Sequence, residues 1–140
     1  MIKIYFAGSI TGGRNDQELY VELINYLKNK GKVLTEHIAD PQLKDTGEIG
    51  KLSAKEIFDR DVSWIKEADV IFAEVTQVSL GVGYELGLSE SLDKNIICLY
   101  RPKEGKRLSA MISGNNKFLV KEYQTIDEAR TIIDDFFKDL

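Results

Sequence analysis

The sequence predicts a single α/β domain of three layers, in which a parallel sheet carries helices on both faces. Short apolar segments alternate along the chain with longer segments whose apolar residues recur at helical spacing. Such alternation is typical of parallel strands that are buried on both faces of their sheet. A chain of 140 residues is long enough to form its own hydrophobic core. We therefore expect residues 1–140 to form one domain.

The individual elements follow from periodicity and from the residues that start and stop helices. The first helix has a candidate N-cap at Asn15 and a stop signal at Gly31. Capping boxes, in which Ser or Thr is followed three residues later by Glu, begin two later helices, at Ser53 and at Thr125. In chain order, the predicted elements are a strand (2–7), a helix (15–31), a strand (32–38), a loop (40–50), a helix (53–68), a strand (70–75), a helix ending near 94–95, two strands (96–100 and 118–123) and a final helix (125–140).

Five strands in this arrangement predict a flavodoxin-like or Rossmann-like sheet with the strand order 2-1-3-4-5. Ligands of such sheets bind beyond the carboxyl ends of the strands, where the strand order reverses. Here the order reverses between the first and third strands. We therefore expect the site in the loops that follow residues 2–7 and 70–75.

Composition argues against several classes of partner. Lys and Arg number 19 against 23 Asp and Glu, for a formal charge of -4 without any basic block, so a nucleic-acid polymer is not expected. No apolar stretch approaches the ~18 residues that cross a membrane, and the lone cysteine, Cys98, cannot form an internal disulfide. A cytoplasmic protein is expected. No metal is expected, because no His, Cys and carboxylate cluster has ligand spacing. No cofactor is expected either, because the glycine spacing after the third strand does not match the dinucleotide fingerprint.

Two carboxylates are predicted on the apolar faces of their helices. If Ser79 caps the helix after the third strand, the capping-box position is Val82, and Glu85 lacks that common structural role. At about 100° per residue, Glu85 falls on the same stripe as Val82 and Leu86. Asp61 is likewise surrounded by apolar residues one helical turn away. Either carboxylate could instead reach a helix end or accept structural hydrogen bonds.

A functional interpretation is chemistry at an anomeric carbon. One carboxylate can capture the oxocarbenium-like centre while a second carboxyl protonates the leaving group. The helix dipole is expected to keep Glu85 ionised and suited to nucleophilic attack, which leaves Asp61 as the better general acid. Glycines at 81 and 83 allow close approach of the backbone to a ligand, and helix amides can receive an anion. Their spacing with the glycine at 87 is not that of the dinucleotide fingerprint.

Five segments, spread in order from Tyr5 to Gly114, carry a resemblance that covers most of the chain. They are YFAGSITGGR, VLTEHIAD, the D-x-x-W of Asp61 to Trp64, ADVIFAEVTQVSLGVGYELG and CLYRPKEGKRLSAMISG. Together they resemble the 2'-deoxynucleoside 5'-phosphate N-hydrolases, a branch of the nucleoside 2-deoxyribosyltransferase superfamily. The resemblance implies cleavage of a deoxynucleoside monophosphate, as a small-molecule substrate, into free base and 2-deoxyribose 5-phosphate.

Residue roles also follow from the resemblance. Glu85 is the implied nucleophile of a deoxyribosyl intermediate, Asp61 assists base departure and water activation, and Tyr5 orients the nucleophile. Serines on three loops are implied to hold the 5'-phosphate, with Ser109 reaching it from the neighbouring subunit of a homodimer. The predicted substrate-binding residues are Gly8, Ser9, Ile10, Thr11, Gly12, Gly13, Arg14, His37, Ser79, Gly81, Ser109 and Met111.

Alternatives remain open at the level of single residues and of the reaction. Tyr5 could be only a core residue, Ser109 the N-cap of a short turn, and Arg14 the partner of a surface acid. The same intermediate could pass to a second base, as in a deoxyribosyltransferase. The site could instead cleave ribonucleotides such as cytidine monophosphate, or the domain could bind nucleotides without catalysis, because a fold does not determine function.

Overall fold

The computed structural model describes residues 1–10, 16–39 and 52–140. Within these ranges the chain forms a five-stranded parallel sheet in the order β2-β1-β3-β4-β5, with helices on both faces. The predicted fold class and strand order are confirmed. The strands are β1 (Lys3–Ala7), β2 (Lys32–Val33), β3 (Val70–Glu74), β4 (Asn95–Tyr100) and β5 (Leu119–Glu122), and the helices are α1 (Gln17–Leu27), α2 (Ala54–Glu67), α3 (Leu80–Ser91), α4 (Ala110–Ser113) and α5 (Ile126–Lys138).

Alternate side chains of the central strands enter two separate apolar cores. Phe6 and Phe72 pack beneath α1 and α5. Tyr5 and Ile71, one position earlier on the same strands, pack on the opposite face with residues of α2 and α3. Because successive side chains of a strand point to opposite faces, Tyr5 and Phe6 serve different cores, and Tyr5 faces the helices that carry Asp61 and Glu85.

Helix boundaries agree with the capping signals where the structure describes them. Ser53 and Thr125 form capping boxes with the glutamates three residues later. The Oγ of Ser79 accepts a hydrogen bond from the backbone N–H of Val82 at 3.2 Å, so Ser79 is the N-cap of α3. The candidate cap at Asn15 lies outside the described residues, as does the whole of the loop predicted over 40–50.

The prediction of a strand over residues 32–38 is wrong beyond Val33. The side chain of Thr35 makes the two hydrogen bonds to Phe6 that the backbone of a longer β2 would make. Its Oγ1 accepts from the N–H of Phe6 at 2.9 Å and donates to the carbonyl of Phe6 at 2.7 Å. Pairing with β1 therefore stops, and Glu36–Ala39 forms a 3-10 turn. His37 consequently lies in this turn and not at the end of a strand.

Two other boundaries differ from the sequence prediction. The first helix ends at Leu27, and Gly31 has a different role from a helix stop, since a Cβ there would lie 2.3 Å from the carbonyl oxygen of Ile2. The third helix ends at Ser91 and not near 94–95, because Asp93 takes a left-handed conformation with φ of 55°. Such a conformation ends a helix.

Candidate active site

Tyr5 and Glu85 meet at the carboxyl end of the sheet. Tyr5 is on β1 and is 2% exposed, and its hydroxyl donates a short hydrogen bond to Oε2 of Glu85 on α3. The carbonyl of Glu85 accepts a bond from the buried hydroxyl of Ser89 at 2.6 Å. The carboxyl is thus held by a residue of a buried strand, and the Ser89 hydroxyl binds the backbone of Glu85 within its own helix.

The ionisation of Glu85 differs from the expectation based on the helix dipole. Burial raises the pKa of its carboxyl to about 7, the hydrogen bond from Tyr5 opposes that rise, the charge of Asp61 adds to it, and the charge of Arg60 opposes it. The dipole acts mainly within the first helical turn, whereas Glu85 follows five other residues of α3. The expectation of a firmly ionised Glu85 is therefore wrong. Burial, together with its two acidic neighbours, also raises the pKa of Tyr5, so its hydroxyl stays a proton donor.

Asp61 lies in a cluster of charged and aromatic side chains. Both Nε and a terminal nitrogen of Arg60 contact its Oδ1, at 2.9 and 2.8 Å. The Arg60 guanidinium also lies 4.8 Å from the ring centroid of Trp64, and a terminal nitrogen is 3.5 Å from Nε2 of His37. The rings of His37 and Trp64 are 5.7 Å apart. The cluster joins the predicted acid to the only histidine of the chain.

Sequence reasoning missed Arg60. A signal for it was present, because Arg60 precedes Trp64 by four residues on the same helix. Residues at this spacing are neighbours on a helix surface, and guanidinium groups stack favourably on indole rings. Trp64 packs against the core on the α2 and α3 side of the sheet. It also supports the cation that contacts Asp61.

Ser9, Ser79 and Gly81, three of the predicted phosphate-binding residues, lie after two neighbouring strands. Ser9 follows β1 and is fully buried, and among the described residues its Oγ has no hydrogen-bond partner. Ser79 and Gly81 follow β3, at the start of α3. A Cβ at Gly81 would meet only the Oγ of Ser79, at 3.8 Å. A Cβ at Gly8 would lie 3.0 Å from the ring of Tyr20, so Gly8 packs closely against α1; its contact with a substrate stays a prediction.

No described contact joins the other predicted substrate-binding residues, Ile10, Ser109 and Met111, to Tyr5, Asp61 or Glu85. Ile10 is half-buried and packs against the core beneath α1 and α5. Ser109 is the N-cap of α4, with Oγ accepting from the N–H of Met111 at 3.2 Å, and both residues are exposed. Their proposed contacts with a substrate stay predictions. The other four residues predicted for the first loop lie outside the described residues: Thr11, Gly12, Gly13 and Arg14.

Residues 1–10, 16–39 and 52–140 contain no group of three or more His, Cys, Asp or Glu side chains that could hold a metal ion. None of the helices in those ranges has the length and apolar character required to cross a membrane. Cys98 is buried in β4, where burial raises the pKa of its thiol to about 12.

Comparisons with known proteins agree with the resemblance seen in the sequence. A solved structure of a Clostridium botulinum CMP N-glycosidase has the same fold, with a TM-score of 0.67 and 21% identity over 96% of this chain and 98% of that one. The 5-hydroxymethyl-dUMP N-hydrolase of Tetraodon nigroviridis is 48% identical to this chain, over 97% of this chain and 97% of its own length. The 5-hydroxymethyl-dUMP N-hydrolase of Homo sapiens is 44% identical, over 96% of this chain and 79% of its own length.

A protein of Nematostella vectensis named as a putative 2'-deoxynucleoside 5'-phosphate N-hydrolase is 52% identical, over 89% of this chain and 87% of its own length. The family model described as nucleoside 2-deoxyribosyltransferase matches residues 4–129, which include Tyr5, Asp61 and Glu85. The chain belongs to the nucleoside 2-deoxyribosyltransferase family.

Proposed function

We propose that this protein hydrolyses the N-glycosidic bond of 2'-deoxynucleoside 5'-monophosphates to free base and 2-deoxyribose 5-phosphate. The observation that carries the proposal is the half-buried carboxyl of Glu85, hydrogen-bonded to Tyr5 and close enough to Asp61 for the two charges to interact. The relatives named as 5-hydroxymethyl-dUMP N-hydrolases support this class of reaction. Their name makes 5-hydroxymethyl-dUMP the first substrate to test.

The reaction proceeds in two balanced steps. In the first, an oxygen of Glu85 bonds to C1' as the C1'–N bond breaks, and the departing base takes up a proton. Tyr5 holds Oε2, which leaves Oε1 for the attack. In the second step water attacks C1', the ester to Glu85 breaks, and the proton of the water passes to Asp61.

The proton needed by the base passes through Asp61. With a pKa of about 7, Glu85 is about half ionised at neutral pH, and only its ionised form attacks C1'. Asp61, which pairs with Arg60, transfers a proton from a water molecule to the base, and the hydroxide that remains is neutralised by the proton released in the second step. The same carboxylate is then ready to accept a proton from water.

A panel of substrates tests the reaction. Deoxy and ribo monophosphates, including 5-hydroxymethyl-dUMP and CMP, and the matching unphosphorylated nucleosides are incubated with the protein, and the products are separated by chromatography. We expect free base and 2-deoxyribose 5-phosphate from deoxy monophosphates. Faster cleavage of CMP would favour a ribonucleotide N-glycosidase. A swapped nucleotide as the main product, in the presence of a second base, would favour a transferase.

The protein is also proposed to act as a homodimer in which Ser109 reaches the phosphate bound by the partner subunit. Large apolar side chains are exposed on α2, just before and along the first half of α3, and on α4, and they are Phe58, Val78, Leu80, Tyr84 and Met111. Two of them flank Ser79 in the chain, and a third is two residues from Ser109. The rings of Phe58 and Tyr84 are 6.0 Å apart, and exposed apolar side chains that cluster next to a site are typical of a protein interface.

Subunit complementation tests this assembly. Ser109→Ala and Glu85→Gln are each expected to lower activity as pure proteins. In a mixed dimer, one of the two sites combines an intact Glu85 with an intact Ser109 from the other subunit, so mixing should restore part of the activity. Light scattering reports the mass of each sample. A dimer in which mixing restores nothing would refute the contribution of Ser109 across the interface, and a monomer would refute the assembly.

A further inference from the structure

A buried carboxylate that the proposed reaction does not use lies at the carboxyl end of β3. Glu74 is fully buried, on the face of the sheet covered by α1 and α5 and therefore opposite to Tyr5. A buried carboxylate is costly unless its oxygens are hydrogen-bonded. Its position, two residues before Thr76 and five before the α3 cap Ser79, places it at the base of the turn that leads to the predicted phosphate site.

Within the described ranges, three groups donate hydrogen bonds to Glu74. The backbone N–H of Thr76 donates to Oε1 at 2.8 Å, and the hydroxyl of Thr76 donates to Oε2 at 2.9 Å. The hydroxyl of Tyr123, which immediately follows β5, also donates to Oε2. Burial raises the pKa of Glu74, while these bonds oppose the rise. The carboxyl thus holds the first residue of the turn from two directions.

Thr76 continues this network toward the first loop. Its Oγ1 accepts a bond from the backbone N–H of Arg101 at 2.9 Å, and the guanidinium of Arg101 donates to Oδ1 of Asp16 at 2.7 Å. Asp16 directly precedes α1 and is 8% exposed. The hydroxyl of Thr76 therefore donates to Glu74 and accepts from Arg101, which in turn contacts Asp16. One short polar chain joins the turn before α3 to the end of the first loop.

We propose that Glu74 and Thr76 are positioning residues that hold the turn before α3, and with it Ser79, in place for binding the substrate phosphate. The inference rests on the proposed function, in which Ser79 and the first amides of α3 receive that phosphate. Neither residue touches the reacting atoms. Their effect is on placement, and small displacements of binding groups are costly in sites that depend on orientation.

A pair of substitutions at one position tests the role of the hydroxyl. Thr76→Val removes the donor to Glu74 and the acceptor for Arg101 while preserving the shape of the side chain, and Thr76→Ser preserves the hydroxyl. Binding of inorganic phosphate to the full chain is measured by calorimetry. We expect the dissociation constant to rise by about tenfold in Thr76→Val, as for the loss of one buried hydrogen bond to a charged group. Thr76→Ser should stay close to wild type.

Kinetics provide a second measurement. Positioning of the phosphate turn predicts that Thr76→Val raises KM for a deoxynucleoside monophosphate, while cleavage of the unphosphorylated nucleoside is unchanged. If Thr76 only stabilised the fold, Thr76→Val would lower the midpoint of thermal unfolding and would affect both substrates alike. Wild-type phosphate affinity in a folded Thr76→Val protein would overturn the inference and leave the proposed reaction standing. Failure of the wild-type protein to bind phosphate would overturn the phosphate site itself.

A milder variant keeps the proposal testable if Thr76→Val does not fold. Tyr123→Phe removes one of the three donors to Glu74 and leaves the turn unchanged. Tyr26→Phe is its matched control, because the hydroxyl of Tyr26 also donates to a carboxylate, that of Asp134, at 2.7 and 2.9 Å. Weaker phosphate binding by Tyr123→Phe alone would support the inference. Equal binding by the two variants would overturn it.

Discussion

The hydrogen bond between Tyr5 and Glu85 predicts how the pH dependence of catalysis responds to Tyr5→Phe. Glu85 attacks only when ionised, so kcat/KM should rise as the pH passes through its pKa of about 7 and then level off. The Tyr5 hydroxyl lowers that pKa by donating to the carboxylate. Removing it should move the rise in activity to higher pH.

The size of this change follows from the energy of the bond. A hydrogen bond to a charged group contributes about 1.5–3 kcal/mol, which corresponds to a displacement of about one to two pH units. At pH 7 the ionised fraction of Glu85 would fall from about one half to roughly 1–10%. We therefore expect kcat/KM at pH 7 to fall by about 5- to 50-fold, with recovery at sufficiently high pH.

Measurement of kcat/KM from pH 5 to 10, with one substrate for all proteins, tests this expectation. Ionisation of the substrate phosphate is then common to every profile. Tyr26→Phe is again the control, since its hydroxyl contacts Asp134 on the α1 and α5 side of the sheet and its profile should match wild type. An unchanged midpoint in Tyr5→Phe, or a fall in activity that is equal at all pH values, would refute the role of Tyr5 in the ionisation of Glu85.

Three other substitutions have defined outcomes. Glu85→Gln should lower base release by several orders of magnitude in a folded protein, and turnover near wild type would refute the nucleophile. Folding raises the pKa of Glu85 from 4.5 to about 7, so the folded wild type favours the protonated carboxyl. As the pH rises through that interval, the unfolding free energy of wild type should fall by up to about 3 kcal/mol relative to that of Glu85→Gln. A constant difference between the two unfolding free energies in urea would contradict this. Arg60→Gln removes a charge that lowers the pKa of Glu85, so its kcat/KM profile should move to higher pH, and a move to lower pH would contradict the arrangement. Thr35→Val leaves two backbone groups of Phe6 without this partner and should cost about 2–4 kcal/mol in urea unfolding, whereas a cost near zero would show that water replaces the hydroxyl.

Much of the fold could be predicted because local signals and tertiary packing agree. The capping boxes at Ser53 and Thr125 form as the sequence indicates, and the apolar strands pair in the predicted order. Thr35 is a different case. Nothing in its neighbourhood in the chain shows that its hydroxyl will take both hydrogen-bonding groups of a residue 29 positions away, so the end of β2 could not be predicted.

The candidate site shows the same division between local and long-range effects. Helical phase was enough to indicate Glu85 and Asp61 as unusual carboxylates. It could not give the ionisation of Glu85, because the dominant cause is burial by side chains of other elements and the next is a bond from Tyr5, 80 residues away. The hydrogen-bonded chain through Glu74 could not be predicted from the sequence either, since it joins the ends of three strands to α1.

The side-chain bridge made by Thr35 also affects how the sheet can associate with other chains. Open sheet edges are templates on which further strands can add, and proteins restrict them by keeping edge strands short or charged. At one edge β2 has only two residues, and Thr35 occupies the groups of Phe6 to which a longer strand would bond. The other edge, β5, has four residues and ends in Lys121 and Glu122. Growth of the sheet from chain to chain is disfavoured at both edges, which leaves helix surfaces as the favoured places for subunits to meet.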